Sequence, residues 1–225
     1  FFSSLMLVNG IAPVVAPVVG GQVLQVVSWR ALFGGLAVVG IVLWVLVVVL
    51  LGETLPRERR RSGGLSATRQ AFAHLLRDGR YVRSVLVGAL GFGMMFVYIA
   101  SSSFVLQDGH GLSPVQFSLV FGMNGLGIVL GGQLNSRLVG RVADEARLLT
   151  ASLAVAALGA SVVLAAALFD APLAVTLMAL FVAIAAMGLI LANVASLAMA
   201  DHGAHAGAAA SLLGAAQFAG AGVAP

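Results

Sequence analysis

The sequence GIAPVVAPVVGGQVL, residues 10–24, places two prolines and three glycines inside a run with no charged residue between Phe1 and Ser28. In a soluble helix, proline costs about 3 kcal/mol and glycine about 1 kcal/mol relative to alanine. Such a run predicts a helix that bends and packs closely against a neighbour. Pro13 and Pro17 lie on one helical face, and Gly20 and Gly21 follow one turn later. The bend has two interpretations, a static kink or a gating element.

The composition of the whole chain indicates a membrane protein. Of the 225 residues, 60% are hydrophobic and 9% are charged, whereas about 25% are charged in a soluble domain. A bilayer is crossed by about 20 apolar residues, and six of seven apolar segments have that length. The segments lie at about 4–27, 31–51, 84–106, 115–136, 148–169, 173–197 and 208–225. The sequence therefore predicts an all-α polytopic membrane helix bundle embedded in a lipid bilayer.

Arginine gives this bundle an orientation. If the segments alternate in direction, eleven arginines lie on one face and only Arg30 lies on the other. The positive-inside rule makes the arginine-rich face cytoplasmic, so the long connection 52–83 is predicted to be cytoplasmic. Within it, Phe72, Leu75 and Leu76 share a helical face and predict a short interfacial helix. The basic balance is therefore explained by topology and lipid headgroups, and nucleic acid is not an expected partner.

Glycines inside the third and fourth segments predict close approach of helix backbones. Membrane helices associate by tight packing, and small residues allow it. The glycines concerned are Gly88, Gly91, Gly93, Gly122, Gly125, Gly127, Gly131 and Gly132.

Several stretches resemble one family of transporters. The doubled Ala-Pro at residues 12–13 and 16–17, followed by Gly20-Gly21, resembles the antiporter motif in the fifth helix of drug:proton antiporters of the major facilitator superfamily. The pattern is similar to the Bcr/CflA (bicyclomycin-resistance) subfamily. So are SWRALF at 28–33, GETLP at 52–56, FVYIASSSFVLQ at 96–107, LSPVQFSLVFGMNGLGIVLGGQLNSRLV at 112–139, GLILANVASLAMA at 188–200 and AGAAASLLGAAQF at 206–218.

The resemblance implies a position in a longer protein. The chain is expected to be an internal fragment running from the fifth into the eleventh of twelve helices. Residues 1–51 are then the last two helices of the N-terminal bundle, 52–83 the cytoplasmic linker, and 84–225 the C-terminal bundle, truncated in its fifth helix. The implied protein is a monomer in the bacterial inner membrane. It exports drugs or other small amphipathic molecules in exchange for protons by alternating access, an activity that underlies antibiotic resistance.

Two positions depart from the subfamily pattern. Ser103 and Ala192 stand where the subfamily usually has proline, before the residues aligned with Phe104 and Asn193. Both changes predict straighter helices and put the substrate range in question.

Polar side chains within a membrane bundle are costly and tend to face its interior, so they are candidates for a substrate cavity. Each has an alternative role in a hydrogen bond between helices. The predicted cavity residues are Asn9, Phe96, Tyr98, Ser102, Phe104, Asn124, Asn193 and Gln217, and the predicted gating residues are Gly10, Pro13, Pro17, Gly20 and Gly21. Further polar candidates are Gln22, Gln25, Ser101, Ser103, Gln133, Asn135 and Ser196.

No Asp, Glu, His, Lys or Arg lies deep in any predicted segment. We therefore expect the proton-coupling carboxylate outside this chain. No cysteine is present, and DHGAH at 201–205 is more typical of a polar turn than of a metal site. We expect no enzyme activity, no metal and no cofactor. The alternatives left open are a narrow-specificity metabolite exporter of the same fold, a structural or assembly role, and a non-functional transporter fragment.

Overall fold

The computed structural model describes residues 19–20, 22–23, 26–50 and 64–223. Within those ranges the chain forms seven α-helices, and six of them are long and apolar enough to cross a membrane. The predicted all-helical membrane bundle is confirmed. The helices are α1 (Trp29–Leu50), α2 (Gly64–Arg77), α3 (Gly79–Ser103), α4 (Pro114–Leu138), α5 (Glu145–Leu168), α6 (Leu173–Met199) and α7 (Ala206–Val223), with a π-helical turn at Phe104–Gly109 and a 3₁₀ turn at Gly203–His205.

Side-chain caps set where three of these helices begin. Asp78 accepts a hydrogen bond from the backbone N–H of Arg80 at 2.8 Å, so α3 begins at Gly79 rather than at the predicted residue 84. Asp144 caps α5 in the same way. Ser113 and Gln116 form a reciprocal capping box at the start of α4. Each cap satisfies backbone N–H groups that a helix start leaves without partners.

Helix α6 lies at the centre of the bundle and packs against α3, α4, α5 and α7. Glycines bring the backbones together. A methyl group on Gly188 would collide with the carbonyl oxygen of Ile128 in α4, and one on Gly131 would collide with that of Ala185 in α6. Gly159 of α5 also lies close to α6, where an added methyl group would be 2.9 Å from the Cβ of Ala183. The predicted role of glycine in helix packing is confirmed at Gly131, and also at Gly88, Gly91 and Gly127.

Ser103 and Ala192, which stand where the subfamily usually has proline, lie in different local structures. Helix α6 runs unbroken through Ala192, as predicted. Helix α3 continues past Ser103 without a break but widens into the π-helical turn Phe104–Gly109. The chain there is neither a regular α-helix nor a proline kink, and such turns are frequent at functional sites.

The amphipathic helix predicted in the connection is present as α2. Leu75 is fully buried, and Phe72 is packed against the same core of α3, α6 and α7 residues. Leu76, predicted on the same face, is 57% exposed, because it lies 100° further around the helix than Leu75. Helix α1 has no buried residue among those described.

Candidate substrate site

Tyr98 of α3 and Asn124 of α4, two of the predicted cavity residues, are in contact. The amide Nδ2 of Asn124 donates a hydrogen bond to the hydroxyl oxygen of Tyr98 at 2.8 Å. The Tyr98 ring also stacks on Phe121, with centroids 5.4 Å apart and planes inclined by 17°. The described α3 and α4 make few contacts with each other, and this hydrogen bond and this stacked ring pair are among them.

Ser102 lies one turn beyond Tyr98 on the same face of α3. Its side chain is buried, and its hydroxyl has no hydrogen-bond partner in the described part of the chain. The neighbouring Ser103 accepts a hydrogen bond from Nε2 of Gln107, in the π-helical turn, at 2.7 Å. Polar groups therefore continue along α3 from Tyr98 into that turn. Buried hydroxyls are normally hydrogen-bonded, so Ser102 offers an unused donor and acceptor.

Asn193, also predicted in the cavity, forms a second polar pair. Its Nδ2 donates to Oδ1 of Asn135 at 2.7 Å and to the carbonyl oxygen of Leu189 at 2.9 Å. Both asparagines are buried. Asn124 and Asn135 are separated by roughly three turns, about 16 Å along α4, and therefore share one face of that helix. The pair Asn135–Asn193 lies on the arginine-rich side of the bundle, and Tyr98–Asn124 lies nearer the other side.

The remaining predicted cavity residues are dispersed. Phe96 is half-buried and packs against Phe92, whose ring also contacts Phe218 of α7. Gln217 is half-buried over Gly88, where α3 and α7 meet. Phe104 is 69% exposed and lies at the surface of the described bundle. The described residues thus bring Tyr98 and Asn124 together, with Ser102 one turn further along α3, whereas Gln217, Phe96 and Phe104 make other contacts or lie at the surface.

Part of the predicted site lies outside the described residues, namely Asn9, Gly10, Pro13, Pro17 and Gly21. Gly20 is described, and none of the described residues would contact a methyl group added there. The sequence analysis missed the stacking role of Phe121. Its spacing of three residues from Asn124, on one face of a helix, was the available signal.

Charged residues lie only near the ends of the described membrane helices, so the Tyr98–Asn124 pair has none nearby in sequence, whereas Arg137 is two residues from Asn135. In the described membrane helices, Arg, Lys, Asp, Glu and His occur only within the first or last two turns. The two pairs consist of amides and a phenol, which donate and accept hydrogen bonds at neutral pH. Chemically, the arrangement can bind polar groups of a small molecule beside aromatic surface.

The sequence comparisons agree with this architecture. A family model described as Major Facilitator Superfamily matches residues 1–225, and the chain belongs to that family. It is 34% identical over 216 residues to an uncharacterized MFS-type transporter, YdgK, of Bacillus subtilis, covering 95% of this chain and 54% of that protein.

Two further relatives carry resistance names. A bicyclomycin resistance protein homolog of Haemophilus influenzae is 30% identical over 146 residues, which cover 65% of this chain and 37% of that protein. The multidrug resistance protein MdtM of Salmonella typhimurium is 28% identical over 108 residues, covering 48% and 26%. The chain therefore spans about half or less of the length of these relatives.

Proposed function

We propose that these residues belong to a secondary active transporter that exports drugs or other small amphipathic molecules in exchange for protons. The observation that carries the proposal is the polar and aromatic group formed by Tyr98, Asn124, Phe121 and Ser102 in the membrane interior. A drug site is expected to combine apolar walls with a few polar groups that fix orientation. The resistance names of two relatives support the same substrate class.

The remainder of the proposal concerns the arrangement of the longer protein. We place the chain in the Bcr/CflA subfamily, from the fifth to the eleventh of twelve helices, with residues 1–51 in the N-terminal bundle and 84–225 in the C-terminal one. The protein is a monomer in the bacterial inner membrane, and the linker 52–83 is cytoplasmic because it is rich in arginine. The two bundles rock about a central site and expose it alternately to each side.

We assign proton coupling to helices that this proposal places outside the 225 residues. A coupling group must change its protonation between the two access states, and no carboxylate lies deep in a predicted segment of this chain. The 225-residue chain alone is therefore expected to carry out no coupled transport. Vectorial, gradient-driven efflux by the purified chain would contradict this assignment.

The test uses the full-length protein in membrane vesicles with an imposed proton gradient. Uptake of a panel of amphipathic drugs is followed with and without a protonophore. We expect several drugs to accumulate and the protonophore to abolish their accumulation. Uptake of a single metabolite would instead establish the second candidate, a narrow-specificity exporter. No uptake of any compound by a folded protein would refute both.

A further inference from the structure

We propose that a groove between α4 and α5 binds an anionic phospholipid, with an acyl chain in the groove and the headgroup at Arg137 and Arg141. This site is separate from the polar pairs and does not depend on the transport proposed above. The groove exists because α4 and α5 both pack on α6 but make few contacts with each other. Its volume is about 450 Å³, within the range of roughly 300–1,000 Å³ that is typical of small-molecule sites.

The groove wall matches hydrocarbon. Leu130, Leu134 and Leu138 of α4 form one side, and Phe181 of α6 packs against Gly127 at the inner end. The one polar side chain lining it is Ser152, which donates its hydroxyl hydrogen to the carbonyl oxygen of Leu149 at 2.9 Å. No lining side chain therefore needs a polar ligand, and the chemistry favours an alkyl chain.

The length and position of the groove fit one leaflet. On α4 it extends from Leu138, at the connection to α5, inward to Gly127. Eleven residues of helix span about 16 Å, roughly half of a hydrocarbon layer about 30 Å thick. One end therefore opens at the membrane surface that carries residues 139–144, and the other ends near the middle of the bilayer.

Three arginines lie within one helical turn of the residues that line the surface end of the groove. Arg137 is one turn from Leu134, Arg141 follows Leu138 in the connecting turn, and Arg147 is one turn from Ala151. The turn is well defined, because Gly140 has a φ of +73° and its N–H donates to the carbonyl oxygen of Ala143 at 3.1 Å. The backbone N–H of Arg141 donates to the carbonyl oxygen of Leu138, also at 3.1 Å.

Two of these arginines are available for a ligand. The Nε atom of Arg147 lies 3.7 Å from Oδ2 of Asp144. Arg137 and Arg141 are both exposed and form no ion pair with a carboxylate in the described ranges. Guanidinium groups bind phosphate oxygens well, often with two hydrogen bonds. Charge complementarity at the end of an apolar groove therefore favours an anionic lipid over a zwitterionic one, and over an apolar protein helix, which would not use the arginines.

The test is native mass spectrometry of the full-length protein with equal amounts of phosphatidylglycerol and phosphatidylcholine that have identical acyl chains. We expect phosphatidylglycerol to be retained preferentially. The double variant Arg137→Gln/Arg141→Gln should weaken its binding by about tenfold or more, since each arginine near an anionic surface contributes about a factor of five. The matched control Arg69→Gln/Arg77→Gln removes the same charge from α2 and should leave the preference intact.

A second variant tests the acyl chain. Ala151 is exposed and lines the groove, whereas Ala157 is exposed on the opposite face of α5. We expect Ala151→Phe to reduce retention of both lipids and Ala157→Phe to reduce neither, with both variants unfolding at the wild-type temperature in detergent.

Three results would overturn the proposal. The first is equal retention of the two lipids. The second is an equal effect of the two arginine pairs, which would indicate general charge attraction. The third is a lower unfolding temperature for Ala151→Phe alone in lipid-free detergent, which would show that another helix of the protein fills the groove.

Discussion

Nε2 of His202 lies 3.1 Å from Oδ2 of Asp78, and this contact ties the connection between α6 and α7 to the start of α3. His202 is buried, and its ring packs edge-on against Tyr81 with centroids 5.2 Å apart. The hydroxyl of Tyr81 in turn donates to the carbonyl oxygen of Ala209 in α7 at 2.7 Å. One carboxylate therefore caps a helix with one oxygen and holds a distant connection with the other.

This dual use predicts how stability depends on acidity. The backbone N–H of Arg80 is the main cause that lowers the pKa of Asp78 below its usual value of 3.8, and His202 contributes a smaller lowering. A carboxyl whose pKa is depressed by folding stabilises the fold above its unfolded pKa, and loses that contribution as pH falls through the folded pKa. We expect the stabilisation by Asp78 to persist down to pH 3.8 and to disappear below it.

The measurement is the unfolding temperature as a function of pH for wild type and Asp78→Asn, which retains an oxygen for the cap. Asp201→Asn, at an exposed neighbouring position, is the matched control and should follow wild type throughout. A difference between wild type and Asp78→Asn that vanishes well above pH 3.8 would contradict the assignment.

Gly188→Ala is expected to destabilise the bundle by about 1–3 kcal/mol, as overpacking does. The added methyl collides with the carbonyl oxygen of Ile128, which belongs to a backbone and cannot rotate away. Gly214→Ala in α7 meets no atom of the described ranges within 4 Å and should be neutral or stabilising, because alanine is more favourable than glycine in a helix by about 1 kcal/mol. The unfolding temperatures of the two variants in detergent are compared. Equal shifts of the unfolding temperature would show that the backbone contact between Gly188 and Ile128 does not limit the packing of α4 on α6.

The pair Asn135–Asn193 should be energetically coupled. Hydrogen bonds between membrane helices contribute about 0.6 kcal/mol on average and up to about 1.7 kcal/mol. We expect Asn135→Ala and Asn193→Ala to destabilise the protein individually, and the double variant to cost less than their sum by an amount in that range. A strictly additive double-mutant cycle would show that the 2.7 Å contact contributes no stability.

Tyr98 provides the prediction for transport. Tyr98→Phe keeps the stacking on Phe121 and loses only the hydroxyl, so we expect apparent substrate affinity to change by less than about threefold. Tyr98→Ala removes both interactions and should weaken it by about tenfold, since aromatic pairs contribute about 0.5–1.5 kcal/mol and 1.4 kcal/mol is a factor of ten.

Phe169→Ala, at an aromatic residue that is 81% exposed, is the control for that experiment and should transport like wild type. Drug uptake in vesicles gives the affinities, after correction for protein amount. If Tyr98→Ala and Phe169→Ala behave alike, Tyr98 has no place in the substrate site.

The apolar segments were predictable because length and hydropathy decide which stretches cross a bilayer. The first residues of the helices were harder to predict. Helix α3 begins at Gly79 because the side chain of Asp78 caps it, and a hydropathy profile contains no information about capping side chains. The polar residues of the site were also predictable, because polar side chains in a membrane are costly and tend to face the bundle interior. Their pairing was not predictable from the sequence. Asn124 bonds to Tyr98, and Asn193 bonds to Asn135, because of how α3, α4 and α6 pack, and local sequence patterns do not determine that packing.

The glycine contacts of α6 have a mechanical consequence. At Gly188 the nearest atoms across the contact belong to the backbone of α4, and at Gly131 the nearest atom is the carbonyl oxygen of Ala185 in α6. Backbone atoms cannot change rotamer to let α4 slide along α6, so we expect these two helices to move together. We expect movement within the described bundle between α3 and α4, where one hydrogen bond and one stacked ring can break and re-form reversibly. Tyr98 lies at that contact.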